Sequence, residues 1–398
     1  MKILYPLSYY PPMPGAAAIN SSKIIEFLVT YGHKVMVLAL GKKGEDHDYD
    51  YSNKLYNSPD VELIRASSYT SYPLNLIISH YENAAKFLIK LKSRFTPDLI
   101  ISQYHAFHFA SVAGSYIAKK LDVPHIIRSH DIFFNQENLS LFYKIFWSIV
   151  FPKISNSITK CNIFYVVCSE LRDYLLQFKK FAKLDIRIHH NGIDSNRFFP
   201  ISKQDELKSK FGCETILIFS GSLVPDIGLQ DFVPILPEIL KEDKETHIIF
   251  LGGGSCKDYI NRYFKEKKIR KQIHLIGQKK HEKIPYYINN SDIGIGRITH
   301  KKAWKYSIPV KCLEYMACKK PFISTPISDD IIKNEEVGII LKRNFKRKDL
   351  IDSFIALIED KNLQKRLGEN GYKKIQREFF WSDIMERFNK DIENFQYK

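Results

Sequence analysis

Residues 306–325 read YSIPVKCLEYMACKKPFIST, and the reading of the whole chain turns on this run. Ser307-Ile308-Pro309 is a turn, because proline has no N–H and biases the residue before it to extended geometry, so a helix can begin just beyond it. Residues 310–318 are expected to form that helix. Lys311 and Glu314, three apart, share one of its faces. The unpaired N–H groups of its opening turn, around Val310, offer a seat for an anion. Lys319 and Lys320 follow where positive charge suits a helix carboxyl end, and residues 321–325 read as a short buried strand. A cation, a carboxylate and a helix mouth therefore converge. The plainer reading of Lys311 and Glu314 is an ion pair on a solvated helix face.

Outward from this run, strand and helix alternate. Residues 3–7, 35–40, 61–65, 99–102, 125–128 and 164–168 are short strand-like runs, with helical periodicity between most of them, as in 19–31 and 81–95. The same grammar restarts after residue 212, with strands expected at 216–219, 248–251, 273–276, 293–296, 322–324 and 338–341. This alternation predicts an α/β protein with two doubly wound parallel sheets. The expected division is a first domain over 1–195, a polar linker with Pro200 over 196–212, a second domain over 213–380 and a closing amphipathic helix over 381–398.

At 398 residues and 44% hydrophobic content the chain can fill two cores. It has no run of about 18 uncharged apolar residues, so no membrane span is expected. The opening MKILYPLSYYPP is too short in its apolar part for a signal peptide and reads as a first strand. Six cysteines without CxxC spacing argue against a disulfide framework and a zinc site, and point to a reducing cytoplasm. A net charge of +16 favours acidic partners. Of these, nucleic acid is set aside because no recognition motif or basic-aromatic stripe accompanies the charge.

The pattern S-x-P-x-K-x-x-E-Y-M-A-x-x-K-P-x-I-x-T in 307–325 resembles the donor-site signature of GT-B glycosyltransferases in the large retaining family 4. The resemblance implies two Rossmann-like domains with an interdomain cleft, the first binding acceptor and the second nucleotide-sugar, and a carboxy-terminal helix that crosses back to the first. His130, in IIRSHD just past a strand end, matches the acceptor-domain H-D motif and is expected beside the transferring sugar. Gly15 and Ala16 stand where the family sets a glycine pair against the donor phosphates. Gly221 and Ser222 open FSGSLVPDIG, which resembles the family's G-R-L-x-x-x-K-G loop but puts Ser222 and Ile227 where the arginine and lysine that hold the diphosphate usually stand. Lys311, Arg297, Lys302 and Lys305 are candidates for replacement charge.

Gly253 lies in a glycine run, 252–254, that reads as a flexible loop at the end of its strand, and by the same resemblance Gly277, Gln278 and Lys279 cradle the base. Tyr306 replaces an acid often found eight residues before the helix glutamate, and Ser307, Pro309 and Val310 form the mouth of the donor helix. The stretch HNGIDSNRFFP, 190–200, resembles the family's interdomain signature, and its Asn-Gly turn is expected to be architectural.

The function so implied is transfer of a sugar from a UDP- or GDP-sugar to a glycan or lipid-linked acceptor, with retention. The enzyme would be a metal-independent hexosyltransferase without cofactor, in which protein cations stabilise the departing phosphate. Lys311 and the helix mouth would take the diphosphate, Glu314 the ribose hydroxyls and His130 the sugar, and domain closure would exclude water. Residues 138–160 mix aromatics with Lys144 and Lys153, which suits either a patch on the inner face of a membrane or a core helix. Two alternatives stay open, a non-catalytic GT-B partner subunit and a sugar-nucleotide epimerase. Metal binding by His105 and His108 or by His189 and His190 lacks a third ligand, and Asp46, Asp48 and Asp50 sit in a polar stretch that reads as solvated loop.

Overall fold

The apolar runs form thirteen strands in the computed structural model, which describes residues 1–7, 16–41, 58–67, 95–104, 110–129, 148, 151–152, 154–201, 205–241, 243–265, 267–300, 305–332 and 336–395. The first seven are β1 (Lys2–Leu7), β2 (Lys34–Gly41), β3 (Val61–Ser67), β4 (Leu99–Tyr104), β5 (His125–Ser129), β6 (Ile163–Val166) and β7 (Ile186–Ile188). They make one sheet in the order β3-β2-β1-β4-β5-β6-β7, with every pair parallel. The other six are β8 (Thr215–Ser220), β9 (Thr246–Leu251), β10 (Ile273–Leu275), β11 (Ile293–Ile295), β12 (Phe322–Ser324) and β13 (Ile339–Ile340). They form a second parallel sheet in the order β10-β9-β8-β11-β12-β13. β4, β5, β8, β9 and β11 are buried along their full length, and β1 from Ile3 onward, as parallel strands covered on both faces must be. The result is two Rossmann-like domains of the GT-B fold.

One unit comprises Met1–His190 with Ile384–Lys398, and the other Asn191–Asp383. The second unit therefore starts earlier than its composition suggests. The stretch 196–212, read as linker, carries a helix, Glu206–Phe211, whose Leu207 is buried. Ile201 and Leu207 donate their N–H groups to the side-chain oxygens of Asn289 and Asn290, and Lys208 pairs with Asp292 at 2.7 Å. Its polarity marks the outer face of a short amphipathic helix, not a free tether.

The helix Trp381–Glu393 begins in the second unit, where Trp381 packs so closely on Gly192 that a Cβ there would lie 2.5 Å from the indole. From Ile384 it belongs to the first unit. There Asp391 accepts from Tyr165 and pairs with Arg187, Asn389 bonds His33 at 2.7 Å, and Phe388 stands edge-on to His189.

Two strands differ from expectation. β6 stops at Val166 because Cys168 already precedes the helix Ser169–Leu176, and β7 went unread because Ile-Arg-Ile is three half-buried residues long. Residues 81–94 lie outside the described part. Among the described residues no helix is long and apolar enough to cross a membrane, and all six cysteines are buried and free.

Candidate active site

In the second sheet the strand order reverses between β8 and β11, and the crevice beyond the carboxyl ends of such a pair is where open α/β sheets bind ligands. Ser220 and Gly221 leave β8 there, and Gly296 and Arg297 leave β11. The helix Val310–Ala317 is fixed to this edge by Tyr315, which is fully buried. Its phenol accepts the Ser220 N–H at 3.0 Å and faces the carbonyls of Ile218 and Ile295 at 3.2 and 3.3 Å. One hydroxyl thus joins the ends of both switch-point strands to the helix. Burial pushes that phenol well above its ordinary pKa, so it stays neutral. Gly294 is required beneath the ring, since a Cβ there would come within 2.2 Å of it.

The mouth of the helix is equally fixed. Pro309 is the N-cap in extended conformation, φ −67° and ψ 115°, as the sequence predicts. Asn191 donates its amide to the Ile308 carbonyl at 3.3 Å, Ser328 donates its N–H to the Ser307 carbonyl, and Arg297 donates a guanidinium N–H to the Ser307 hydroxyl. Tyr306 lies half-buried under Lys305, whose Nζ is 4.5 Å from its ring centre.

Lys311 and Glu314 do not pair with each other, so the reading of a solvated ion pair is corrected. The Lys311 Nζ lies 3.6 Å from the centre of the Phe219 ring, a cation–π contact, and 3.5 Å from where a Cβ on Gly221 would stand. It is buried and has no hydrogen-bond partner among the described residues. Burial lowers its pKa to about 7; Cys312 and Glu314 oppose that fall, and the neighbouring Arg297 charge reinforces it. Glu314, 7% exposed, instead meets His281 Nε2 through Oε1 at 3.1 Å. On its other side His281 bonds Arg197 at 2.8 Å through Nδ1.

The loops leaving β8 and β9 are zipped together. Leu223 donates to the Gly253 carbonyl at 2.8 Å, and a Cβ on Gly252 would stand 1.9 Å from the Gly221 carbonyl oxygen. The glycine triplet read as a flexible loop therefore permits close backbone approach. Gly277, at φ +78°, turns the chain out of β10 and leaves Gln278 and Lys279 exposed, with Gln278 Oε1 near Gly253. Ser222 is exposed, whereas Ile227 packs against the core of the second unit. Neither position supplies charge.

His130, Gly15, Lys302, His105, His108 and Asp46, Asp48 and Asp50 lie outside the described residues, and Ala16 opens the helix Ala16–Thr30. His189 is committed to accepting from Arg128 Nε at 2.9 Å, and His190 Nδ1 bonds the Val167 carbonyl. No group of three or more potential metal donors occurs among the described residues. Arg197, His281 and the pinning role of Tyr315 were not foreseen. Their contacts join residues 20 to 97 positions apart, which no local pattern reports.

With this geometry in place, comparison with known proteins assigns the class. The family described as Glycosyltransferase Family 4 matches residues 23–197, and the family Glycosyl transferases group 1 matches residues 202–374. The chain is therefore a GT-B glycosyltransferase of family 4 with a group 1 carboxy-terminal domain. It is 26% identical over 212 residues to an uncharacterised glycosyltransferase of Methanocaldococcus jannaschii, a match spanning 52% of this chain and 53% of that relative. A second M. jannaschii glycosyltransferase is 24% identical over 392 residues, 96% of this chain and 95% of the relative. Among solved structures, Anabaena HepE in complex with UDP superposes with a TM-score of 0.77 at 16% identity, covering 99% of this chain and 100% of that one.

Proposed function

We propose that the chain transfers a hexose from a UDP- or GDP-sugar to a glycan or lipid-linked acceptor with retention of configuration. The main support is the buried Lys311 Nζ, lacking a hydrogen-bond partner among the described residues, at the switch point beside a helix mouth. A cation held there in a low dielectric attracts an anion far more strongly than one in water. HepE, a fold relative, binds UDP. In this reading the anomeric C–O bond breaks, and the electron pair leaves on the diphosphate, stabilised by the Lys311 ammonium and the N–H groups at Val310. The acceptor oxygen bonds the anomeric carbon on the face the diphosphate vacates, and its proton passes to a phosphate oxygen. Glu314 accepts from the ribose, Gly277 to Lys279 hold the base, and His130 is assigned to the sugar. Protein cations take the place of a divalent metal.

The test is turnover with a panel of UDP- and GDP-sugars, the anomer of the product being read by NMR. Lys311→Ala and Glu314→Ala should each abolish it, and a variant of both with normal rate removes the assignment. The second reading, a non-catalytic partner subunit, draws on Ile227, which packs against the core at the position where the G-R-L-x-x-x-K-G pattern that the loop resembles has its lysine. Nucleotide-sugar binding without turnover would select it. A membrane-proximal acceptor and a peripheral location on the cytoplasmic face remain proposals, tested by binding to anionic liposomes before and after neutralising Lys144 and Lys153. In the described part of 138–160, Ile154 and Ile158 are buried as in a core helix.

A further inference from the structure

Glu314 is held by a chain of two further side chains. Arg197 NH1 lies 2.8 Å from His281 Nδ1, and His281 Nε2 lies 3.1 Å from Glu314 Oε1. A guanidinium can only donate, so Nδ1 must carry the lone pair, and a neutral imidazole must then hold its proton on Nε2 and donate it to the carboxylate. The tautomer is dictated from outside the ring. Phe198, next to Arg197, packs against the imidazole with ring centres 5.3 Å apart and fixes its plane. Among the described residues nothing hydrogen-bonds Glu314 Oε2, so the donated bond orients the carboxylate and leaves one oxygen for a ligand. His281 also opens the turn after Gln278, Lys279 and Lys280. It thus joins the loop assigned to the base to the residue assigned to the ribose.

We infer that Arg197 and His281 are positioning residues that set the preference of the donor site for a ribonucleotide over its deoxy analogues by presenting Glu314 Oε2 to the ribose hydroxyls. This rests on the donor-site reading given above. Neither residue touches the reacting atoms; each acts through Glu314.

The test uses the full chain with UDP or GDP, whichever binds, and the matching 2′-deoxy and 3′-deoxy nucleotides. Wild type should prefer the ribonucleotide over at least one deoxy analogue by about tenfold, the worth of one hydrogen bond to a charged group. Glu314→Gln should reduce that preference. Arg197→Met and His281→Phe should reduce it similarly, and Arg197→Lys, which keeps a donor for Nδ1, should restore most of it. Long-range ¹H–¹⁵N NMR of ligand-free protein should show His281 protonated at Nε2 alone, and Arg197→Met should mix the tautomers. A merely structural role would lower stability without moving either the deoxy preference or the tautomer. Undiminished preference in a folded Arg197→Met protein, or a proton on Nδ1 in wild type, overturns the inference while leaving the donor site standing. Failure of wild type to bind any nucleoside diphosphate overturns both.

Discussion

Each unit buries a cation on or beside its sheet, and the two cations are treated differently. In the first unit Arg128, on β5, is wholly buried and donates to His189; burial lowers its pKa to about 10 against the opposing effect of Tyr5, whose phenol is itself pushed up to about 12. In the second unit Lys311 has a ring face and no hydrogen bond among the described residues, and it falls to about 7. A delocalised guanidinium keeps its charge when buried, while an amine gives it up. Arg128 is thus a permanent part of its core. In the donor-site reading proposed above, Lys311 is a charge held in reserve, completed when an anion arrives.

The largest effect should come from Lys311→Met. Loss of a desolvated charge-assisted contact should weaken nucleoside diphosphate binding by about a hundredfold, measured by calorimetry. The same change should stabilise the ligand-free fold. Because the folded pKa of Lys311 lies near 7, below its ordinary 10.5, the unfolded chain holds more protons between those values, and wild-type stability rises with pH across that window. The cost of burying the charge is therefore complete below pH 7. The Met variant's advantage, on the order of 2 kcal/mol, should be greatest at pH 6 and shrink toward pH 10 in denaturant titrations. An arriving diphosphate restores the proton. Wild-type affinity should then fall by up to about tenfold per unit above pH 7, and the Met variant should stay flat. A wild type flat over the same range would erase the contrast between the two cations.

Arg128→Ala probes the other side. It opens a cavity and leaves His189 Nδ1 without its donor, at a cost of about 3 kcal/mol with no pH dependence between 6 and 9. Intact stability with abolished nucleotide binding would reverse the roles assigned to the two charges. Tyr315→Phe should cost about 1–2 kcal/mol by thermal or chemical denaturation, because the buried Ser220 N–H loses its acceptor.

How much of this was legible depended on whether a feature is local. Ser307, Pro309, Lys311 and Glu314 occupy one turn and the helix after it, so spacing alone placed them together. The alternation of strand and helix likewise gave both sheets, since each strand carries its own apolar run. What spacing could not give was the far end of each side chain. The i,i+3 relation of Lys311 to Glu314 suggested a pair, but the buried Phe219 ring and the half-buried His281, from another strand and another turn, offer partners, and these won. Arg197 stands in a stretch whose sequence signals only a turn, and its bond to His281 spans 84 residues. The helix Glu206–Phe211 passed for linker because one inward leucine is too little periodicity to register.

The smallest effect bears on the two places where the loop departs from the G-R-L-x-x-x-K-G pattern that it resembles. Ser222 and Ile227 flank one loop yet differ in environment, Ser222 being exposed and Ile227 packed against the core. Reinstating a cation should therefore succeed only at the first. Ser222→Arg keeps the fold and places a flexible guanidinium on the loop that starts at Gly221, next to the Lys311 ammonium. Without ligand the like charge should lower the Lys311 pKa further, weakening binding above pH 7; with a diphosphate present both cations share it. The net expectation is a gain of about threefold at pH 6.5 that vanishes by pH 8.5. Ile227→Lys should lower stability by about 2 kcal/mol with no gain at either pH, because its stem leaves a packed site to carry the ammonium to water. Equal gains at both positions would mean that the loop, and not Lys311, sets the phosphate site.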